Sequence, residues 1–199
     1  MPERKAGMKN TREDILDCAR DLYLEEGLTG LSMRKVAKKV GVTPMAIYRH
    51  FENKEALQEQ LLIKGFKSFG IYLNKGLEGK TPLERIKLTT QGYFDFATQQ
   101  SKYFEIIFLS TDANTELKLK EIINKEAMAT FNFLVDRVQE CIDAKIIKDE
   151  SPFTVAVTIL AEVNGLVSLY LTNAFGWTLE EFEMAFKKSL DRVIGGFQV

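Results

Sequence analysis

"SMRKVAKKVGVTPMAIYRHFENKEAL", Ser32 to Leu57, decides how the rest of the chain is read. Ser32 stands where an N-cap belongs ahead of MRKVAKKV, and Gly41 stops that run where the chain must reverse. Thr43 and Pro44 then form an N-cap and first-turn pair opening MAIYRHF, and Asn53 caps a longer run from Lys54 to about Leu73. Two short helices joined by VGVT make a helix-turn-helix, whose second helix can lie in a DNA major groove. Val36, Ala37, Val40, Val42 and Ile47 supply the packing between the two helices. That leaves Thr43, Met45, Ala46, Tyr48, Arg49 and the chain's single histidine, His50, mostly outside.

The outward residues have the chemistry of a DNA contact. Apolar Met45 and small Ala46 suit a thymine methyl at the end of the helix that would meet base edges. Tyr48 and His50 hydrogen-bond well to phosphate, and Lys54 adds a charge to the same backbone. Arg34, on the preceding helix, suits guanine O6 and N7, the commonest specific contact. Ser32, Pro44 and Arg49 lie within the same segment and complete the candidate set.

Helix signals continue on either side. Thr11 precedes REDILDCARDLYLEEG with Asp14 as a capping-box partner, and Ile15, Cys18, Ala19, Leu22 and Tyr23 recur at helical spacing until Gly27. Thr81-Pro82-x-Glu84 starts a helix over 82–99, and a short one follows over 102–109. A long amphipathic stretch covers about 116–144, with Ile122, Ile123, Phe131, Leu134, Val138 and Ile142 among its apolar positions. Ser151-Pro152 opens 152–174, and Thr178-x-x-Glu181 is a capping box for 179–194. Nothing reads as an alternating strand pair. The expected fold is all-α with about nine helices. No linker or low-complexity tract separates its parts, so the division near residue 54 is two modules sharing a helix, residues 1–54 and 55–199.

Composition fits that division. The net charge is −1, but residues 1–54 carry 11 Lys/Arg against 8 Asp/Glu, whereas 55–199 carry 16 against 20. A basic N-terminal module beside an acidic body points to a polyanion met by the first module only. Cys18 and Cys141 fall within helical patterns, far apart, and read as small apolar residues. MPERKAGMKN has no apolar core and so is no secretory signal, and a reducing cytoplasm fits both facts. An enzyme finds no support: there is no Walker-type loop, no G-x-G-x-x-G and no metal-ligand cluster, and the lone histidine sits in the helix-turn-helix. No cofactor is expected.

The body's distinctive run is FTVAVTILAEVNGLVSLYL, Phe153 to Leu171, apolar almost all round. Its length would allow a membrane span, but Glu162 and Asn164 at its middle and the Ser151-Pro152 cap speak for a soluble helix buried on two sides. One side is the chain's own core, and the other is the same helix of a second subunit, with Ala161, Gly165 and Ser168 allowing close approach. Thirteen of the fourteen phenylalanines follow residue 54. Such aromatic density is ordinary core or the lining of a pocket, since pockets are also mostly apolar with a few polar groups. The candidate lining is Phe66, Phe69, Tyr93, Phe94, Tyr103, Phe104, Phe108 and Phe131, with Glu162 and Asn164 as its polar groups. Pairing of those two across a dimer is the alternative.

From Thr11 to about Leu62 the chain resembles the N-terminal domain of TetR-family transcriptional regulators. The shared order is a glycine ending the first helix, then G-V, then Y-x-H-F (Tyr48, His50, Phe51), then N-K-x-x-L (Asn53, Lys54, Leu57). The resemblance implies that Tyr48, His50 and Lys54 grip phosphates and that Arg34, Thr43, Met45 and Ala46 touch backbone or bases. It also implies a homodimer joined through the helices near 152–174 and 179–194, a near-palindromic double-stranded DNA operator, and a small-molecule effector that releases a repressor. The alternative expectation is a helix-turn-helix regulator controlled by a protein partner or by no effector at all.

Overall fold

Side-chain caps set most helix starts. Ser32 Oγ accepts from the Lys35 amide (3.2 Å) and Asn53 Oδ1 from the Ala56 amide (2.7 Å). Thr81 with Glu84, and Thr178 with Glu181, form complete capping boxes, and Ser151 caps the helix after Pro152. Each such cap contributes about 1 kcal/mol. The computed structural model describes residues 12–109 and 117–199, and Thr11 and the Ile122 side chain lie outside what is described. Among the described residues there are nine α-helices: α1 Arg12–Gly30, α2 Met33–Val40, α3 Pro44–Tyr48, α4 Lys54–Leu73, α5 Pro82–Gln99, α6 Ser101–Phe104, α7 Leu117–Asp143, α8 Pro152–Leu171 and α9 Leu179–Phe197. The all-α expectation holds. The β-type pairing present among these residues is one isolated antiparallel bridge, Ile147 with Gln198.

Four details differ from the sequence reading. The first helix does not end at Gly27: the backbone kinks there (φ 72°, ψ −178°) and helix resumes to Gly30. Thr43 has the extended backbone of an N-cap but makes no side-chain capping bond, so α3 begins on Pro44 alone, whose missing N–H leaves one orphan donor fewer. The segment 102–109 is one α-turn, α6, followed by a π-turn over Glu105–Leu109. A 3-10 turn, Asn74–Glu78, follows α4 without a recognisable sequence signal.

The chain forms two compact units, Met1–Phe66 with Lys102–Lys125, and Lys67–Ser101 with Glu126–Val199. Helix α4 therefore belongs to both. In the first unit, Ile15, Ala19, Leu31, Val36, Ala37, Ile47, Phe51, Leu57 and Leu61 are buried together with little or no exposure. The second unit is built on aromatic rings: Phe94 lies between Phe182 (4.9 Å) and Phe186 (5.1 Å), and Tyr170 stacks on Phe182 (4.3 Å). Cys141 is buried there, with its thiol pushed up by burial to about 11. Cys18, in the first unit, is only half-buried.

Helix α8 is two-faced. Val155, Ala156, Ile159, Val163 and Val167 are buried, whereas Phe153, Val157, Ala161, Gly165 and Leu169 recur every fourth residue on an exposed stripe. Only 28% of its most apolar stretch is buried within the chain.

Candidate nucleic-acid interface

The turn between α2 and α3 is closed by two bonds to one carbonyl: the Gly41 and Val42 amides both donate to Ala37 O at 2.9 Å. Gly41 sits at φ 85°, the left-handed region, which a side chain would strain. This abrupt stop directs the chain into α3. Ile47 is fully buried and anchors α3, and its carbonyl accepts from the His50 and Phe51 amides (2.9 and 3.0 Å). Phe51 is buried beneath the Arg12 guanidinium, 5.0 Å from its ring centre. With Ile47 and Phe51 held inside, the residues between them face out.

The exposure pattern is that of a surface built for contact. Met45 is 68% exposed and Tyr48 48%, so two large side chains three residues apart on α3 stand in water together. Thr43, Pro44, Arg49 and His50 are exposed, as is Arg34 on α2, whereas Ala46, Ser32 and Lys54 are half-buried. Ser32 already spends its hydroxyl on the α2 cap. Val40 and Val42, expected to be packing residues, are half-buried rather than buried. Lys38 was not among the sequence candidates; it is exposed one helical turn after Arg34, and that four-residue spacing was the available signal.

The ten residues put forward as an effector lining fall into two groups. Phe66, Tyr103, Phe104 and Phe108 belong to the first unit, where Phe108 meets Phe104 (4.8 Å) and Phe66 (6.3 Å). Tyr103 takes part in a polar knot: its hydroxyl donates to Asp17 (3.3 Å), which also accepts from Lys64 (3.0 Å), and Arg20 lies over its ring. Phe69, Tyr93, Phe94, Phe131, Glu162 and Asn164 belong to the second unit. Phe69 meets Tyr93 edge-on (5.3 Å), the Tyr93 hydroxyl donates to Asn164 Oδ1, and Phe131 meets Phe153 (5.2 Å). Glu162 is half-buried. An open groove of about 270 Å³ between α5 and α9, lined by Leu88, Phe186, Leu190, Lys87 and Asp191 among others, includes none of the ten. Among the described residues no group of His, Cys, Asp and Glu is placed to hold a metal ion.

Residues 15–61 match the family described as bacterial regulatory proteins, tetR family, and residues 86–193 match the tetracyclin repressor-like C-terminal domain. The chain belongs to the TetR family. It is accordingly a DNA-binding transcriptional regulator rather than an enzyme, with α2 and α3 as its helix-turn-helix.

Similar curated proteins include the HTH-type transcriptional regulator YobS of Bacillus subtilis, 29% identical over 57% of this chain and 60% of that protein. The HTH-type transcriptional repressor KstR2 of Rhodococcus jostii is 30% identical over 45% of this chain and 46% of its own length. The match thus spans about half of each of these two relatives. The nucleoid occlusion factor SlmA of Vibrio vulnificus is 28% identical over 89% of this chain and 94% of its own. Among solved structures, FadR of Bacillus subtilis in complex with stearoyl-CoA aligns with a TM-score of 0.77 at 20% identity, covering 94% of this chain and 100% of that one. The ketosteroid regulator KstR2 of Mycobacterium tuberculosis aligns at 0.74 and 20%, covering 98% and 100%. At these identities the structural likeness establishes the fold alone.

Proposed function

We propose that this TetR-family regulator acts as a cytoplasmic homodimeric repressor that leaves a near-palindromic operator when a small molecule binds. The observation that carries the DNA half is the contrast at α3: Ile47 is fully buried while Met45 and Tyr48 are largely exposed. Two copies of α3 read successive major grooves about one helical turn, ~34–36 Å, apart. Tyr48, His50 and Lys54 hold phosphates, Arg34 and the α3 N-terminus read bases, and the modules divide near residue 54. The exposed stripe of α8, with Met184 and Leu179 exposed on α9, is the face a second copy covers.

The effector is proposed as a mostly apolar molecule, by analogy with FadR, whose structure holds stearoyl-CoA. It must bind the released and operator-bound states with affinities differing by about 1–3 kcal/mol. Helix α4 carries the response, since one helix contributes to both units. A second reading, regulation by a protein partner or without any effector, is favoured by one observation. Tyr93 already spends its hydroxyl on Asn164, and Phe94 is filled against Phe182 and Phe186, so these residues serve as core.

Selection of sites from random duplex DNA by the native chain and by Tyr48→Ala tests the first half. The expected result is an inverted repeat enriched by the native protein and lost in the variant. Enrichment unchanged by Tyr48→Ala would overturn the assignment of α3. Melting with and without stearoyl-CoA tests the second: a concentration-dependent rise in Tm supports an acyl effector. A flat response across acyl, steroid and aromatic panels favours the second reading.

A further inference from the structure

Helix α2 carries four cations in six residues, Arg34, Lys35, Lys38 and Lys39, all exposed. They are sorted by partner. Lys35 pairs with Glu26, and Lys39 pairs with Glu25 at 2.7 Å, both carboxylates lying at the end of α1's straight portion. Arg34 and Lys38, four residues apart on the next stripe of the same helix, have no ion-pair partner among the described residues. The arrangement depends on the α1 kink. The chain bends at Gly27 immediately after the two glutamates, and Gly30 leaves room for one of them, since a Cβ there would stand 2.8 Å from Glu26 Oε2. The hydrogen bond from Lys39 to Glu25 outweighs the cost of partial desolvation and raises the Lys39 pKa.

Exposed pairs of this kind contribute little to stability. Their consequence for a polyanion is larger. A lysine held against a carboxylate is a small dipole that releases no counterion from DNA, whereas a free lysine within a Debye length of ~8–10 Å does. We propose that Glu25 and Glu26 are a charge mask: they neutralise Lys39 and Lys35 and leave Arg34 and Lys38 as the free basic stripe of α2, with Lys38 a further phosphate contact. The mask restrains sequence-independent affinity, which rests on phosphate charge, without touching the base contacts. It thereby holds down binding to operator and random duplex alike, and with it the occupancy of the many non-operator sites.

The test is equilibrium titration of the full chain against a random-sequence duplex over a range of KCl concentrations. Glu25→Gln with Glu26→Gln should raise affinity roughly tenfold at 0.1 M salt for each lysine that finds a phosphate, and steepen the slope of log K against log salt by about one to two. Lys38→Ala in the native background should flatten the slope by about one. Adding Lys35→Gln and Lys39→Gln to the glutamine pair removes both partners of each pair and should return affinity and slope to native values. A merely loosened α2 would not reverse in this way. A native-like slope in the glutamine pair overturns the mask, as does a quadruple variant binding much more weakly than the native chain, which would mean both lysines already reach DNA. An unchanged slope in Lys38→Ala removes Lys38 from the interface.

Discussion

The Tyr93 hydroxyl on α5 donates its hydrogen bond to Asn164 Oδ1 on α8, so the amide oxygen in the middle of an almost wholly apolar helix finds a donor inside the chain. Burial pushes the Tyr93 phenol far above its ordinary value, so it stays a donor at any working pH. Tyr93→Phe keeps the ring but leaves Asn164 Oδ1 without this donor, at an expected cost of about 1–3 kcal/mol in urea unfolding. The phenol should also be missing from the ordinary tyrosine titration near pH 10 when absorbance is followed. A variant as stable as the native chain would mean that Asn164 finds another donor or water.

Two hydroxyls of the helix-turn-helix should separate stability from recognition. Ser32 Oγ accepts from the Lys35 amide, and Ser32→Ala should cost about 0.5–2 kcal/mol of stability. Thr43 stands at the α3 cap position with no side-chain capping bond, so Thr43→Ala should change stability by about 0.5 kcal/mol or less. Thr43→Ala should nevertheless weaken operator binding if its side chain meets DNA. Paired thermal melts and binding titrations on the two variants distinguish the roles, and equal destabilisation would contradict the difference in capping.

Arg34 and Lys54 should fail in different ways. Arg34→Ala is expected to relax base preference at one operator position by about 1–3 kcal/mol of discrimination. Lys54→Ala should weaken all sequences alike and flatten the salt slope by about one. Binding-site selection repeated on both variants reads the difference. If both lose only uniform affinity, Arg34 is a phosphate contact and the bases are read from α3 alone.

The parts of the fold that local chemistry governs were legible in the sequence. Ser32, Asn53, Thr81 with Glu84, Ser151 and Thr178 with Glu181 all cap the helices they were expected to cap, because a cap depends on residues three positions apart. Gly41 is left-handed because the turn needs it. The kink at Gly27 was not legible, since a glycine that ends a helix and one that bends it look alike until the following residues are placed. Nor was the sorting of α2's lysines, because Glu25 and Glu26 lie nine and more residues away across that kink. Tyr103 shows the same limit. Its aromatic character suggested a pocket wall, whereas the neighbours that make it part of a polar knot, Asp17, Arg20 and Lys64, come from α1 and α4.

Acid should loosen that same region of the first unit. Burial by itself would raise the Asp21 carboxyl, but hydrogen bonds from Lys102 and Arg20, both at 3.0 Å, outweigh it and hold the group below its ordinary value. A carboxyl depressed in the folded state stabilises fully above the ordinary carboxylate range and loses that contribution as pH falls through its folded pKa. Asp21→Asn should therefore lower stability at neutral pH and flatten the acid limb of a stability profile followed by urea midpoint. A profile parallel to the native one would show that the pairs with Lys102 and Arg20 are not maintained in solution.

The exposed stripe of α8 gives the sharpest test of assembly. Phe153, Val157 and Leu169 are 53%, 42% and 37% exposed at four-residue multiples, with Ala161 and Gly165 exposed between them. Leaving such a stripe in water is costly at about 25 cal/mol per Å², and a two-fold interface of standard size, ~800 Å² per partner, would cover it. Val157→Asp places a charge where two copies of the helix would meet, next to the small residues that permit close approach. It should convert the dimer to single chains in sedimentation at micromolar concentration while leaving the helical circular dichroism unchanged. Leu77→Asp, at a residue 58% exposed on the 3-10 turn, is the matched control and should remain dimeric. Dissociation by both variants would point to a nonspecific charge effect, and dissociation by neither would move the interface off α8. Loss of the dimer by Val157→Asp alone should also lower operator affinity, because an inverted repeat is read by two copies of α3 held together.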